Sequence, residues 1–222
     1  KVESVVVSRL ESVIDLMESQ EGLGAYRLHL KAKDETASGD TQDSISENVL
    51  QNDPRSYQIA MFEKAKQQNT IVHLGTGTGK TLIALLLIQE YAQQQKQAVF
   101  LVPTVPLALQ QASTLRTNLP FTVGLACENH HSSEDARKRL AECNIIVATH
   151  GAFLDLLSHY ADLFSMQKFG LLILDECHNC TKKSPYATIL RDFYHSTSKN
   201  QRPHVLGLTA SPLINVKKNH TE

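Results

Sequence analysis

From about residue 54 onward, short apolar runs alternate with longer stretches of helical composition. The runs are rich in β-branched residues and read TIVHL (70–74), AVFLV (98–102), FTVGLA (121–126), NIIVAT (144–149), LLILD (171–175) and HVLGLT (204–209). The stretches of helical composition include 80–94, 106–117, 133–142 and 184–195. Continuous apolar strands that are separated by helices indicate an α/β fold, with a parallel sheet covered by helices on both faces. Ligands bind beyond the carboxyl ends of the strands in such sheets, so the loops after each run are the places to examine.

The N-terminal quarter of the chain has a different pattern. Apolar residues at Val2, Val6, Leu10, Val13 and Met17 follow helical spacing and predict an amphipathic helix that ends near Gly22 or Gly24. Residues 31–53 are polar and acidic, which is typical of a solvated linker. We therefore predict four segments: a helical leader (1–30), an acidic polar linker (31–53), a folded body (54–215) and an exit segment (216–222).

Composition and charge narrow the class of protein. The chain has 222 residues, no apolar run of membrane-spanning length and no signal-peptide pattern, and it begins at Lys1, so we expect a part of a longer intracellular protein, cytoplasmic or nuclear. Four cysteines without a secretory signal are typical of reduced thiols. The net charge of −1 divides into −6 over 1–53 (5 basic, 11 acidic residues) and +5 over 54–222 (17 basic, 12 acidic). A mildly basic body is compatible with a nucleic-acid partner.

A glycine-rich loop follows the first apolar run of the body. It reads GTGTGKT over 75–81 and comes directly before a helical stretch. In a strand-loop-helix context such a loop cradles phosphates with backbone N–H groups, the lysine reaches the β- and γ-phosphates, and the hydroxyl at its end can ligate Mg²⁺. The strict form of this motif has glycine where this chain has Leu74, so the loop is a variant. The predicted nucleotide-binding residues are Gly75, Thr76, Gly77, Thr78, Gly79, Lys80 and Thr81, with Thr81 as a Mg²⁺ ligand.

Two carboxylates end the run LLILDE, 95 residues after Lys80. An aspartate at the end of a buried strand beside a phosphate loop holds Mg²⁺, and the adjacent glutamate can orient or deprotonate the attacking water. We therefore predict that Asp175 ligates Mg²⁺ and that Lys80, Asp175 and Glu176 are the catalytic residues of a nucleoside triphosphate site.

The same stretch continues as Cys177-His178-Asn179-Cys180, which admits a metal or redox site as a second interpretation. A structural zinc needs about four ligands, and Cys127 and Cys143 form no second Cys-x-x-Cys pair. A redox pair would more naturally open a helix of a thioredoxin-like unit, for which the sequence has no other sign. We therefore expect no structural zinc.

With these motifs in place, the body resembles the first RecA-like domain of a superfamily 2 helicase of the DECH-box kind. PRSYQ (54–58) resembles the segment whose glutamine reads adenine, which makes Gln58 the adenine candidate. GTGTGKT resembles motif I, PTVPLALQ (103–110) motif Ia, VATHGAFLDLL (147–157) the region of motifs Ib and Ic, DECH (175–178) motif II and LTAS (208–211) motif III. The resemblance implies that His178, Thr209 and Ser211 couple the phosphate site to the nucleic-acid face.

Within that superfamily the sequence is most similar to the helicase domain of Dicer and Dicer-like proteins. The similarity is strongest in LVPTVPLALQQA, FTVGLACEN and the stretch from DECHNC to LTASP (175–212). It implies an ATP-dependent helicase or translocase on double-stranded RNA. Virus-sensing RNA receptors and DNA-remodelling translocases share many of these motifs, and a non-catalytic RNA-clamping scaffold with a vestigial ATP site stays open as an alternative.

The resemblance also implies where nucleic acid binds and what else is required. The nucleic-acid candidates are Pro103, Thr104, Gln110, Thr149 and His150, whose amides and hydroxyls suit sugar-phosphate contacts. Thr104 and Thr149 could equally be helix N-caps, and the two roles can coexist. The chain ends soon after motif III, so we expect ATP turnover to need a second RecA-like domain of the same protein, and no membrane is expected as a partner.

Overall fold

The computed structural model describes residues 26–29, 54–127, 133–181 and 183–210. Its strands are β1 Tyr26–His29, β2 Thr70–His73, β3 Gln97–Val102, β4 Val123–Ala126, β5 Ile145–Thr149, β6 Phe169–Leu174 and β7 His204–Thr209. Its α-helices are α1 Ser56–Gln67, α2 Lys80–Gln93, α3 Val105–Asn118, α4 Glu134–Ala141, α5 His150–His159 and α6 Pro185–Thr188. Ile189–Tyr194 continue α6 as a π-helix, and short 3₁₀ turns occupy Met166–Lys168, Cys177–Asn179 and Lys199–Gln201.

The strands form one seven-stranded sheet in which every pair is parallel. Their order across the sheet is β1-β2-β7-β6-β3-β5-β4. The six apolar runs of the body correspond to β2 to β7, so the predicted RecA-like parallel α/β fold is confirmed. Because all strands run in the same direction, the loops after β2, β7, β6, β3 and β5 meet at one edge of the sheet.

Both faces of the sheet are buried, which explains why the strands are continuously apolar. Along β3, Val99 and Leu101 belong to one hydrophobic cluster, while Ala98, Phe100 and Val102 belong to the other. This two-residue alternation is what a pleated strand between two helical layers requires. Helices α5, α6 and the π-helix contribute to the cluster that contains Val99 and Leu101. Helices α1, α2 and α3 contribute to the cluster that contains Phe100.

The edge strand β1 corrects one prediction. Tyr26–His29 pair in register with Thr70–His73 of β2, although they lie in the segment predicted to be a helical leader. Four residues are too short a run for periodicity to separate a strand from a helix, and here pairing with an open sheet edge determines the conformation. The helix predicted over 2–17, the linker 31–53 and the exit segment 216–222 lie outside the described residues.

Two further elements were not predicted as such. Ser56–Gln67 (α1) and His150–His159 (α5) are helices, and each begins directly at a candidate functional segment. Across the described part of the chain, no helix combines the length and the apolar character that a membrane crossing requires.

Candidate functional site

Three neighbouring strands carry the phosphate loop and motifs II and III. The loop follows β2, Thr209 ends β7, and Asp175 follows β6 directly. Since the sheet order is β2-β7-β6, segments that are up to 135 residues apart in sequence meet at the carboxyl edge. The charge of the Lys80 ammonium acts on the carboxylates of Asp175 and Glu176 across this edge. The sequence-predicted phosphate and magnesium residues therefore form one site.

The phosphate loop has the backbone conformation that its glycines permit. Gly77 and Gly79 have φ angles of 74° and 84°, in the left-handed region that other residues rarely adopt. Gly79 is the N-cap of α2, so the first backbone N–H groups of this 14-residue helix have no carbonyl of their own helix to bond. The Thr78 hydroxyl donates to the Gly75 carbonyl at 2.6 Å and closes the loop. The result is a curl of N–H groups at a helix N-terminus, which favours phosphate.

Lys80 lies inside this curl. Its Nζ donates to the carbonyl oxygens of Leu74 and Gly75 at 2.9 and 3.0 Å. Burial lowers the pKa of the Lys80 ammonium, and the carboxylates of Glu176 and Asp175 act in the opposite direction. The ammonium thus lies beside the loop backbone and faces the acidic end of the site.

The leucine that replaces the expected first glycine is explained by its position. The Leu74 backbone N–H donates to the Thr209 carbonyl at 3.1 Å, which continues the β2–β7 ladder by one residue. The Leu74 side chain is 3% exposed and belongs to the core against α1 and α2. Its backbone has no left-handed conformation, so glycine is not required there and an apolar side chain adds core packing.

The first turn of α1 holds the phosphate loop from outside. Gln58 is 5% exposed, its Oε1 accepts from the Arg55 N–H at 2.8 Å, and its Nε2 lies 3.4 Å from the carbonyl oxygens of Thr78 and Gly79. A Cβ at Gly79 would displace the Gln58 amide from the loop, and the left-handed φ of Gly79 strains any other residue there. The Tyr57 hydroxyl donates to the Thr78 carbonyl at 2.7 Å. Sequence reasoning selected Gln58 and missed Tyr57, although PRSYQ places the two side by side.

Motif II presents two carboxylates in different environments. Asp175 is 8% exposed, and burial together with the charge of Glu176 raises its pKa to about 6, against the opposing effects of the Glu176 backbone N–H and Lys80. Glu176 has φ 48°, and its backbone N–H donates to Asp175 Oδ1 at 3.0 Å. A left-handed non-glycine residue costs roughly 1 kcal/mol or more and is typical of functional sites. The turn places the two carboxylates side by side.

The oxygen donors at this edge suit magnesium. Mg²⁺ prefers hard oxygen ligands and is usually held by one or two carboxylates together with substrate phosphates, not by an all-protein cage. The Asp175 carboxylate and the Thr81 hydroxyl, which lies in the first turn of α2, supply such donors. Burial, and after it the charge of Glu176, raise the pKa of Asp175, and a divalent cation would relieve the repulsion between the two carboxylates.

His178 connects motif II to motif III. Its Nδ1 lies 2.9 Å from the Thr209 hydroxyl and 3.1 Å from Glu176 Oε2. One ring nitrogen therefore lies within hydrogen-bonding distance of both a hydroxyl of motif III and a carboxylate of motif II. The carbonyl of Thr209 accepts from Leu74 at the start of the phosphate loop. The structure therefore brings His178 and Thr209, two of the coupling candidates, into contact, while Ser211 lies outside the described residues.

The nucleic-acid candidates lie on the next strands of the same edge. Pro103 and Thr104 follow β3, Gln110 lies on α3, and Thr149 and His150 end β5 and begin α5. Thr104 and Gln110 are exposed. The Thr104 side chain makes no capping hydrogen bond, whereas the Thr149 hydroxyl accepts from the Ala152 N–H at 3.3 Å. Of the two threonines, only Thr149 caps its helix with a side-chain hydrogen bond.

Cys177 of motif II and the nearby Cys180 are free, buried thiols. Burial raises the pKa of Cys177 far above its usual value and raises that of Cys180 to about 12. Cys177 packs under β7, where a Cβ added to Gly207 would lie 3.1 Å from its Sγ. Thiols that stay protonated at neutral pH are poor nucleophiles, so Cys177 acts as a small apolar residue.

A family model for DEAD/DEAH box helicases matches residues 55–218. The chain belongs to this helicase family. The helicase domain is 41% identical over 181 residues to Endoribonuclease Dicer homolog 1 of Arabidopsis thaliana, which covers 77% of this chain and 9% of that protein. It is 38% identical over 181 residues to Dicer-like protein 1 of Neurospora crassa, and this match covers 76% of this chain and 11% of that protein.

A solved structure gives the same fold for the helicase domain. The crystal structure of the Pyrococcus furiosus Hef helicase domain matches with a TM-score of 0.63 and 31% sequence identity, over 73% of this chain and 34% of that chain. The resemblance to the helicase domain of Dicer-like proteins is thereby confirmed. The chain spans about a tenth of the length of the curated relatives it matches.

Proposed function

We propose that this chain is the ATP-binding RecA-like domain of an ATP-dependent double-stranded RNA helicase or translocase, in the helicase part of a Dicer-like ribonuclease of RNA silencing. The observation that carries the proposal is the meeting of Lys80, the Asp175-Glu176 pair and Thr209 at the ends of three adjacent strands. The resemblance to Dicer homologs supports the choice of RNA as the partner.

The residues of the site have distinct roles in ATP hydrolysis. Lys80 exchanges the carbonyls of Leu74 and Gly75 for phosphate oxygens, and the N–H groups from Gly75 to Thr81 cradle the phosphates. Asp175 and Thr81 hold Mg²⁺, which neutralises phosphate charge when it is bound. Glu176 orients the attacking water and accepts its proton. Gln58 reads adenine, and this requires its amide to exchange its present contacts with Arg55 and the loop for contacts with the base.

His178 and Thr209 link the phosphate site to RNA. Their hydrogen bond joins motif II to the strand whose last carbonyl holds Leu74, so a change at the phosphates alters the loops on both sides of β7. RNA lies over the ends of β3 and β5, where Pro103, Thr104, Gln110, Thr149 and His150 face it. Contacts of this kind read the sugar-phosphate backbone and the 2′-hydroxyl instead of the bases.

Turnover requires a second RecA-like domain of the same protein to complete the ATP cleft. This chain alone should bind Mg-ATP weakly and hydrolyse it negligibly, with or without RNA. Isothermal titration of the isolated chain with Mg-ATP, and ATPase assays on the full-length protein, test this point. Hydrolysis by the isolated chain at the rate of the full-length protein would contradict it.

The decisive experiment compares different nucleic acids as activators of ATP hydrolysis by the full-length protein. ATP hydrolysis is measured with double-stranded RNA, single-stranded RNA and double-stranded DNA of equal length. The proposal expects the largest stimulation by double-stranded RNA. Stimulation by DNA instead would identify a DNA-remodelling translocase, and RNA binding without ATP turnover would identify a clamping scaffold. Release of short RNA duplexes from long double-stranded RNA separates a Dicer-like ribonuclease from an RNA sensor.

A further inference from the structure

Tyr186 is the largest fully buried side chain of the described residues and lies 11 positions after Asp175. It belongs to helix α6, whose N-cap Ser184 accepts from the Ala187 N–H at 3.3 Å. The Tyr186 hydroxyl donates to the Asp175 carbonyl at 2.8 Å and lies 3.2 Å from the Leu101 carbonyl. Its single proton is thus directed to the carboxyl ends of β6 and β3.

These contacts fix the backbone of Asp175 where the sheet no longer does. Strand β6 ends at Leu174, and Asp175 keeps one ladder bond, from its N–H to the Leu101 carbonyl at 2.9 Å. Its own carbonyl comes immediately before the left-handed turn at Glu176 and accepts from Tyr186. Without that hydroxyl, a carbonyl in a buried segment would lack its partner, and the turn that places both carboxylates would lose a fixed end.

The other side of the Tyr186 ring meets the predicted RNA face. The His150 ring packs edge-on against it, with 4.8 Å between the ring centroids and an interplanar angle of 80°. His150 begins α5 directly after Thr149, and within the described residues its buried Nδ1 makes no hydrogen bond. Because the imidazole packs directly on the ring whose hydroxyl holds Asp175, a displacement of His150 would act on that ring.

We propose that Tyr186 is a positioning residue: its hydroxyl sets the backbone of Asp175 and Glu176 for ATP hydrolysis and links that setting to the segment that carries His150. The parts in hydrolysis and in the link to His150 rest on the proposed function, whereas the positioning of the backbone concerns the structure of the protein alone. Tyr186 lies within the stretch 175–212 that resembles Dicer-like proteins but outside the helicase motifs, and its role follows from geometry.

The test is the variant Tyr186→Phe, which removes the hydroxyl and keeps the ring. Tyr194→Phe is the matched control, because Tyr194 is also buried and its hydroxyl accepts from Asn69 Nδ2 at 2.9 Å, remote from motif II. Each variant removes one hydroxyl that is hydrogen-bonded in a buried or partly buried site, so both melting temperatures should fall. Hydrogen exchange is then measured in the full-length protein without nucleotide. Y186F should accelerate exchange over 175–179, and Y194F should not.

Kinetics give the second readout. In the full-length protein with double-stranded RNA, Y186F should lower kcat for ATP by about 10- to 100-fold and raise the Mg²⁺ concentration for half-maximal rate, the range seen when groups behind a metal ligand are removed. KM for ATP should change little, because the phosphate loop is untouched. Y194F should leave all three values near those of the parent.

The outcomes separate the two proposals. Equal exchange over 175–179 in Y186F and Y194F overturns the positioning role. Faster exchange in Y186F with unchanged kcat and Mg²⁺ dependence overturns its part in hydrolysis. If the parent protein hydrolyses ATP no faster than its Lys80→Ala variant, the proposed function fails, while the exchange result still decides whether Tyr186 positions motif II.

Discussion

The carboxyl edge of the sheet has two halves that differ in how they are held. In the half formed by β2, β7 and β6, the functional side chains bond to one another and to the backbone: Gln58 and Tyr57 to the phosphate loop, Lys80 to its carbonyls, and His178 to Thr209 and Glu176. In the half formed by β3 and β5, Thr104 and Gln110 are exposed, and the Thr104 side chain makes no capping bond.

This difference matches what each half is proposed to do. Hydrolysis of one phosphate bond demands fixed geometry, since misplacement of a reacting group by about 1 Å can cost roughly a hundredfold in rate. Backbone contacts to a long nucleic acid are many and individually weak, so each can stay adaptable. A variant in the first half should therefore alter rate or coupling strongly, and one in the second half should alter affinity slightly.

Lys80→Ala should have the largest effect. It removes the ammonium from the phosphate loop, and we expect the RNA-stimulated ATPase rate of the full-length protein to fall at least about a hundredfold, as for loss of a charge-stabilising donor. The loop loses two hydrogen bonds from Nζ but keeps the glycine turns, so the fold should persist by circular dichroism. Lys66→Ala is the control, because Lys66 pairs with Glu90 away from the site. Retained turnover in K80A would refute the assignment of Lys80.

The phosphate site could be predicted from sequence because its chemistry depends on closely spaced residues. Gly77, Gly79 and Lys80 lie within four positions, and their left-handed turns and the helix start follow from local sterics. Tyr57 and Tyr186 could not be predicted in this way. Their hydroxyls bond to backbone carbonyls 21 and 11 residues away, and those distances depend on how α1 and α6 pack on the sheet.

The same contrast between local sequence and tertiary packing explains which strands and side-chain contacts could be predicted. Six strands were predicted because burial on both faces makes them continuously apolar, whereas the edge strand β1 has no such run. His178 was first noticed within a Cys-x-x-Cys, and its bond to Thr209 depends on the adjacency of β6 and β7, which no local pattern reveals. The roles of the individual residues in ATP and RNA binding stay predictions.

His178→Ala should separate binding from coupling. It removes the imidazole that joins Glu176 to Thr209 and leaves the phosphate loop intact. We expect ATP affinity to change little and the stimulation of hydrolysis by double-stranded RNA to fall by about tenfold, within the usual range of coupling between sites. His159→Ala is the control, since His159 is exposed and pairs only locally with Asp155. Equal RNA stimulation in both variants would show that His178 has no coupling role.

Asp175→Asn should stabilise the protein while it disables the site. The pKa of Asp175 is raised from 3.8 to about 6, by burial and by Glu176. As pH rises, the unfolded chain therefore loses this proton first, and the folded state becomes progressively less stable relative to it until about pH 6. The penalty is absent below about pH 3.8 and complete above pH 6, where it amounts to at most about 3 kcal/mol. Asparagine removes the charge and still accepts from the Glu176 N–H.

Urea unfolding with EDTA present measures this effect. D175N should have a larger free energy of unfolding than the parent at pH 8, and the difference should shrink towards zero at pH 4. Asp192→Asn is the control with the opposite sign, because the Arg191 guanidinium lowers the pKa of Asp192. A D175N protein that is less stable than the parent at pH 8 would contradict the burial of an ionised Asp175.

The smallest effects should distinguish the two threonines of the RNA half. Thr149→Ala removes the hydroxyl that caps α5, so we expect a loss of about 1 kcal/mol in the free energy of unfolding. Thr104→Ala removes an exposed hydroxyl that caps nothing, so stability should stay within about 0.5 kcal/mol of the parent, while double-stranded RNA affinity falls a few-fold, as for one lost hydrogen bond of about 1 kcal/mol. Urea unfolding and fluorescence anisotropy with labelled RNA give the two quantities. If T104A destabilises the protein as much as T149A does, the Thr104 hydroxyl has a structural role and the contrast between the two halves of the edge fails at this position.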